Sequence, residues 1–234
     1  MQRLFERVYP HKNQFAQDAY DSLVTCLFSC DPVPRVICVT GNAPGVGKTT
    51  ISINLAISFA MTGRKALLVD SDIRKDHAYK RLSGADFLGL TDYLMEPLEP
   101  ADIITRTNMN NMSVITCGKT SIRNPLGLLY SPKFDHLLEA TTNLFDLVIV
   151  DTSSLDVNAD STVVAAKADG TFLVAEINDS AKALKRNIAR LESMGANIIG
   201  TILNKIPRNE YRSQMEYYNY KHTGVRKRKW NKTL

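Results

Sequence analysis

No apolar run in this 234-residue chain approaches the length of a membrane span; the longest are strand-sized and interrupted. The opening MQRLFERVYPHKNQ lacks the apolar stretch of a secretory signal, so a cytoplasmic location is expected. Cysteine is scarce, with Cys26, Cys30, Cys38 and Cys117 only. Cys26 and Cys30 stand one helical turn apart, but no second Cys or His pair completes a zinc set. The four read as reduced, mostly buried thiols. There is also no internal repeat and no domain linker. What remains is 44% hydrophobic, which suits one α/β domain with a full core over residues 1–210, helix 14–29 included. The formal net charge is +5, and much of the excess crowds residues 211–234: Lys221, Arg226, Lys227, Arg228, Lys229 and Lys232, with Trp230 among them. Such a tail can touch anionic lipid, nucleic acid or an acidic partner, or simply stay solvated.

The most informative stretch is PRVICVTGNAPGVGKTT, residues 34 to 50. A β-branched run, Val36 to Thr40, enters a Gly/Pro loop ending in Gly47-Lys48-Thr49-Thr50, and an apolar-periodic segment follows at once. Strand, glycine loop and helix start form the context in which GK[ST] holds nucleotide phosphates. Gly45 and Gly47 let backbone N–H groups converge on an anion, and a helix opening at Lys48 adds its positive end. Lys48 suits the β- and γ-phosphates and Thr49 a Mg²⁺ ion. The general pattern GxxxxGK[ST] wants glycine where Asn42 stands; Gly41 comes one residue early. The bland alternative is a glycine turn without a ligand.

Two further strand ends bear on the same chemistry. KALLVDSDIRKDH, residues 65 to 77, reads as a buried strand ending in Asp70-Ser71-Asp72. Ligands bind at the carboxyl ends of parallel strands, so both carboxylates would sit near the phosphates. Asp70 could deprotonate a nucleophile and Asp72 could hold Mg²⁺. The same residues also suit a solvated turn with an aspartate helix cap. FDLVIVD, residues 145 to 151, is an apolar strand ending in Asp151, the expected Walker B carboxylate for the Mg²⁺ shell.

Periodicity predicts strands at 65–70, 112–116, 146–151, 171–176 and 197–203, and helices at 14–29, 48–61, 133–141, 160–168 and 180–194. Shorter helical pieces are expected at LTDYLM, at PADIITR and after Asn124-Pro125. The alternation predicts an α/β fold of P-loop NTPase type, a mainly parallel twisted sheet with helices on both faces.

APGVGKTT, LLVDSDIRK and FDLVIVDTSS together resemble the three nucleotide-site elements of the bacterial tyrosine kinases of capsule and exopolysaccharide synthesis. GLTDYLMEPLEPADII, RNPLGLLYSPKFDHLL and ANIIGTILNKIPRNEYRSQMEYYNY extend the resemblance over residues 14 to 220. The resemblance implies an ATP-dependent protein-tyrosine autokinase that uses Mg²⁺. Ala43, Pro44, Gly45, Val46, Gly47, Lys48, Thr49 and Thr50 would cradle ATP, with Asn204 near adenine. Asp70 would be the base for a tyrosine hydroxyl; Thr49, Asp72 and Asp151 would organise Mg²⁺. Tyr217, Tyr218 and Tyr220, with Tyr211, would be the phosphoacceptors, presented to a neighbouring subunit. A tyrosine cluster is otherwise read as an aromatic tail patch.

The implied partners are a membrane adaptor of the polysaccharide co-polymerase type, a homo-oligomer and a cognate phosphotyrosine phosphatase, with nucleic acid not expected. The adaptor would recruit the chain to the inner face of the plasma membrane. The chain departs from the family in places. Its oligomerisation-helix pattern E-x-x-R-x-x-R falls on Asp18, Asp21 and Val24, and Thr-Pro-Pro after the Walker B aspartate becomes Thr152-Ser153-Ser154. Two other readings share the motifs: a partition- or cell-division-type ATPase switching at a membrane or on DNA, and a diverged nucleotide-binding module. The first has a lysine where this chain has Ala43.

Overall fold

The structure, a computed structural model, describes residues 14–74, 88–119, 122 and 124–207. The tyrosines at 211, 217, 218 and 220, the basic tail and the domain boundary expected at 210 lie outside the described residues.

The opening helix α1 (Gln14–Phe28) places Val24 and Leu27 inward. The P-loop strand β1 (Val36–Gly41) is buried along its whole length, as its unbroken apolar run requires of a central parallel strand. Next comes α2 (Lys48–Met61), with most of its circumference buried because it lies between the sheet and α1. Gly63, at φ +88, turns the chain away after it. The chain continues as β2 (Ala66–Asp70), α3 (Leu90–Met95), α4 (Pro100–Ile103), β3 (Thr105–Arg106) and β4 (Met112–Ile115). Then come α5 (Pro125–Leu129), α6 (Pro132–Thr142), β5 (Leu147–Asp151), α7 (Asp160–Lys167), β6 (Gly170–Glu176), α8 (Ala181–Ser193) and β7 (Ile198–Asn204). Helix starts carry the expected chemistry: Ser131 caps α6 by accepting from the Phe134 N–H, Asn124 caps α5 by accepting from Gly127, and both helices begin with proline.

The seven strands form one sheet in the order β3-β4-β2-β5-β1-β6-β7. All pairs are parallel except the two-residue edge strand β3, an antiparallel addition too short for any periodic signal. Side chains alternate across the sheet. Ile37 and Val39 of β1 pack toward α1 and α2, while Val36 and Cys38 face the layer of helices that follow β2. Two apolar layers therefore sandwich the sheet, as the alternating pattern predicts.

One expectation needs correction. Cys26 is exposed and Cys30 half-buried, because α1 covers the sheet with one face only; Cys38 and Cys117 alone are buried. Burial pushes the Cys38 thiol up to about 12. Val24, aligned above with the last position of the oligomerisation pattern, is a core residue 5% exposed, whereas Asp18 and Asp21 face outward. A spacing of three and six rotates along the helix surface, which carries the last position into the core.

Candidate active site

The position of β5 between β1 and β2 decides the site. Val39 pairs with Asp151, and Asp70 pairs with the same Asp151 on the other side. Three strands distant in sequence thus end side by side, and their loops open into one cleft of about 560 Å³.

Beyond β1 the loop residues Gly45 and Gly47 take φ of +81° and +103°, a region that L side chains resist. Gly47 caps α2, and Ile51 N–H donates back to its carbonyl at 2.9 Å. The first helical residue is Lys48, so the first turn of α2 and the lysine open on the same cleft. Lys48 is 7% exposed, and its Nζ lies 3.5 Å from the Ala43 carbonyl.

The cleft is lined by Pro44, Gly45, Gly47, Lys48, Thr49, Thr50, Asp70, Asp72 and Asn204. Ala43 and Val46 pack toward the core under the loop. Asp151 is fully buried and stands behind the cleft wall: Ser52 Oγ, one turn into α2, donates to its Oδ1 at 3.0 Å. Its backbone carbonyl accepts both the N–H and the hydroxyl of Ser71, at 2.9 and 2.8 Å, tying the end of β2 to β5. Asp70 Oδ1 in turn accepts the Asp72 N–H at 3.1 Å. The Asp-Ser-Asp segment is therefore a pinned strand end with both aspartates buried against the cleft, rather than a solvated turn.

Asn204 stands under the phosphate loop. Its Nδ2 donates to the Val46 carbonyl at 2.8 Å, and it lies where a side chain on Gly47 would have to go. Asn42, the residue in place of the usual glycine, belongs to a buried polar network: it donates to Asp179 Oδ2 at 3.2 Å and accepts from Asn187 of α8 at 3.0 Å. The early glycine, Gly41, is required where it is, since a Cβ there would meet Val46 Cγ2 at 2.7 Å and the Val174 carbonyl at 2.9 Å.

Sequence reasoning missed four partners. Ser52 holds Asp151. Asp160, in the first turn of α7, holds Arg74, whose guanidinium it pushes up in pKa by hydrogen bonding. Ser153 donates to Asn158 across the cleft wall at 2.7 Å. Lys205 lines the cleft while paired with Glu176. The only available signal was Asp160 at a helix start; Ser52 lies within α2, Ser153 and Asn158 in the loop after β5, and Lys205 just beyond β7.

A glycine loop with left-handed φ, a helix opening in Gly-Lys-Thr-Thr and carboxylates at adjacent parallel strand ends define a P-loop nucleotide-binding protein. Comparison with known proteins narrows the class. Residues 34–190 match the AAA domain family. The tyrosine-protein kinase CpsD of Streptococcus agalactiae is 34% identical over 201 residues, covering 83% of this chain and 84% of that one. The kinase domain of the Escherichia coli tyrosine kinase ETK superposes with a TM-score of 0.76 at 31% identity, covering 82% of this chain and 76% of the other. The septum site-determining protein MinD of Pyrococcus horikoshii, solved with Mg-ADP, gives 0.60 at 21% identity over 76% of each chain, a likeness of fold alone. The chain belongs to the bacterial tyrosine-protein kinase family, and its enzyme class is that of a protein-tyrosine kinase.

Proposed function

We propose that the chain is an ATP-dependent autokinase of capsular or exopolysaccharide synthesis that phosphorylates Tyr211, Tyr217, Tyr218 and Tyr220 of a neighbouring subunit. The observation that carries this reading is the convergence of Lys48, Thr49, Asp70 and Asp72 on one cleft, with Asp151 directly behind it.

The residues present suit ATP. The loop N–H groups and Lys48 would hold the phosphates, and Lys48 would offset charge on the γ-phosphoryl group as it transfers. Asp70 would accept the proton of a tyrosine hydroxyl, whose pKa near 10 leaves it a weak nucleophile at neutral pH. The phenolate oxygen then forms the new P–O bond as the bond to the β-phosphate oxygen of ADP breaks, leaving the proton on Asp70. Among the described residues no group of three acidic, His or Cys side chains could enclose a metal. One hydroxyl and one or two carboxylates match the sparse protein ligation of Mg²⁺, which takes its other ligands from phosphates and water. Held by Thr49 and Asp72, with Asp151 beyond them, Mg²⁺ would neutralise phosphate charge. Ser52 would keep the Asp151 carboxylate aimed at that position.

No helix among the described residues is long and apolar enough to cross a membrane. The resemblance to the family supports recruitment by a membrane adaptor of the polysaccharide co-polymerase type, with a homo-oligomer presenting each tail to the next subunit and a phosphotyrosine phosphatase reversing the reaction. Phosphates on adjacent tyrosines would add about −1.5 to −2 charge each and loosen subunit packing. The test is intact-mass spectrometry after incubation with Mg-ATP, with and without the adaptor's cytoplasmic segment. Mass gains on the tyrosines at 211–220 that vanish in Lys48→Met are expected. Nucleotide binding without any gain under either condition overturns the reading.

A further inference from the structure

Arg74 is the one arginine lining the cleft among the described residues, two positions after Asp72. Its Nε and Nη2 donate to Asp160 Oδ2 and Oδ1 at 2.5 and 3.0 Å, a two-point clamp. The Asp160 side chain is 5% exposed and that of Arg74 is 44% exposed. The carboxylate is thus the fixed member, set in the first turn of α7 where the helix's positive end favours its charge. The guanidinium is the member that reaches solvent. The clamp occupies one edge of the fork, and the Nη1 edge has no partner among the described residues.

Depth decides what that edge meets. Asp70 and Asp72, each 7% exposed, form the floor of the cleft, and Arg74 stands at its rim. Consecutive Cα atoms of a chain lie about 3.8 Å apart. A tyrosine that reaches the floor therefore keeps the residue before it at the mouth of the cleft, within reach of a long arginine side chain on the rim. In the C-terminal sequence Glu210 precedes Tyr211 and Glu216 precedes Tyr217. We infer that Arg74, oriented by Asp160, recognises the acceptor by pairing with the carboxylate immediately before the tyrosine. The inference rests on these tyrosines being the acceptors. Tyr218 and Tyr220 follow Tyr217 and Asn219, lack that carboxylate and are the slower acceptors. Asp160 acts through Arg74 and is a positioning residue.

A phosphate oxygen of ATP offers the same anionic chemistry, so the experiment separates the two. The full chain with Phe at 211, 217, 218 and 220, together with the adaptor's cytoplasmic segment, is given Mg-ATP and the peptide PRNEYRSQ, residues 207–214, or its Glu210→Gln form. Peptide affinity, kcat/KM for phosphotyrosine formation and the Kd of a fluorescent ATP analogue are measured, also in Arg74→Gln and Arg74→Lys. Glu210→Gln should lower peptide affinity and kcat/KM about tenfold in the parent kinase, the scale of one exposed charge-assisted hydrogen bond. It should change them less than about twofold in Arg74→Gln, where that bond is already gone. Arg74→Lys keeps the charge but not the fork, and should fall between. ATP affinity should stay the same in both variants. An undiminished Glu/Gln ratio in Arg74→Gln overturns the inference and leaves the acceptor reading standing. So does a loss of ATP affinity as large as the loss for peptide. If Arg74→Gln does not fold, equal handling of the two peptides by the parent kinase overturns it alone. Peptides neither bound nor phosphorylated by the parent kinase refute the acceptor reading, and this inference with it.

Discussion

Gly47→Ala tests whether the phosphate loop is held from beneath. The residue has φ +103°, and a Cβ built there would lie 2.1 Å from Asn204 Nδ2. Alanine in the left-handed region costs about 1–2 kcal/mol. Asn204 must also withdraw, losing its 2.8 Å bond to the Val46 carbonyl, worth about 1 kcal/mol. The sum, about 2–3 kcal/mol, acts against the loop conformation that presents its N–H groups. It should weaken ATP binding roughly 30- to 150-fold. Where the loop resists relaxing, the same energy should appear as a lower melting temperature. Titration with a fluorescent ATP analogue and thermal unfolding together capture both routes. Combining Gly47→Ala with Asn204→Ala removes the collision but not the backbone penalty, so part of the loss should disappear from the coupling between the two sites. Gly47→Ala binding ATP within about threefold of the parent, with unchanged melting, would refute the account of the loop and of Asn204.

Other perturbations follow from the same geometry. With its thiol pushed up to about 12 by burial, Cys38 carries about 10⁻⁴ thiolate at pH 8. Native protein should thus lose Cys26 first to a disulfide reagent and keep Cys38 until unfolded, and rapid loss of Cys38 would contradict its burial. Asp169 Oδ2 accepts the Arg35 and Val36 N–H groups at 2.8 Å each, at the entry of β1. Asp169→Ala should destabilise by about 1–3 kcal/mol in urea unfolding without altering ATP affinity. Ser52→Ala removes the donor to the buried Asp151 carboxylate and should lower turnover more than ATP affinity. Replacing Tyr211, Tyr217, Tyr218 and Tyr220 by Phe should remove most phosphotyrosine, detected by mass spectrometry, while nucleotide binding persists.

Much of this was legible before any coordinates. A β-branched run, a loop needing glycine at particular places and a 3.6-residue apolar period are local properties, each spanning about fifteen residues or fewer. They located β1, the phosphate loop and α2 within a residue or two, and they placed Asp70, Asp72 and Asp151 at strand ends. The two-residue β3 escaped because no period exists over two residues. The exposure of Cys26 escaped because α1 is covered on one side alone.

The chain's local chemistry settled which segments become strands and helices and which residues end them. Only tertiary structure put β5 between β1 and β2, so that Asp151 lies in register with Asp70 and wholly out of solvent, held by Ser52. Only tertiary structure brought Asn204 beneath a loop 158 residues earlier and Asp160 to an arginine 86 residues away. The reason is physical. A buried parallel strand shows the same apolar run whichever strands flank it, so its neighbours are chosen by how helices pack over the whole sheet. Polar partners at the strand ends are then set by that choice and leave no mark on the local pattern.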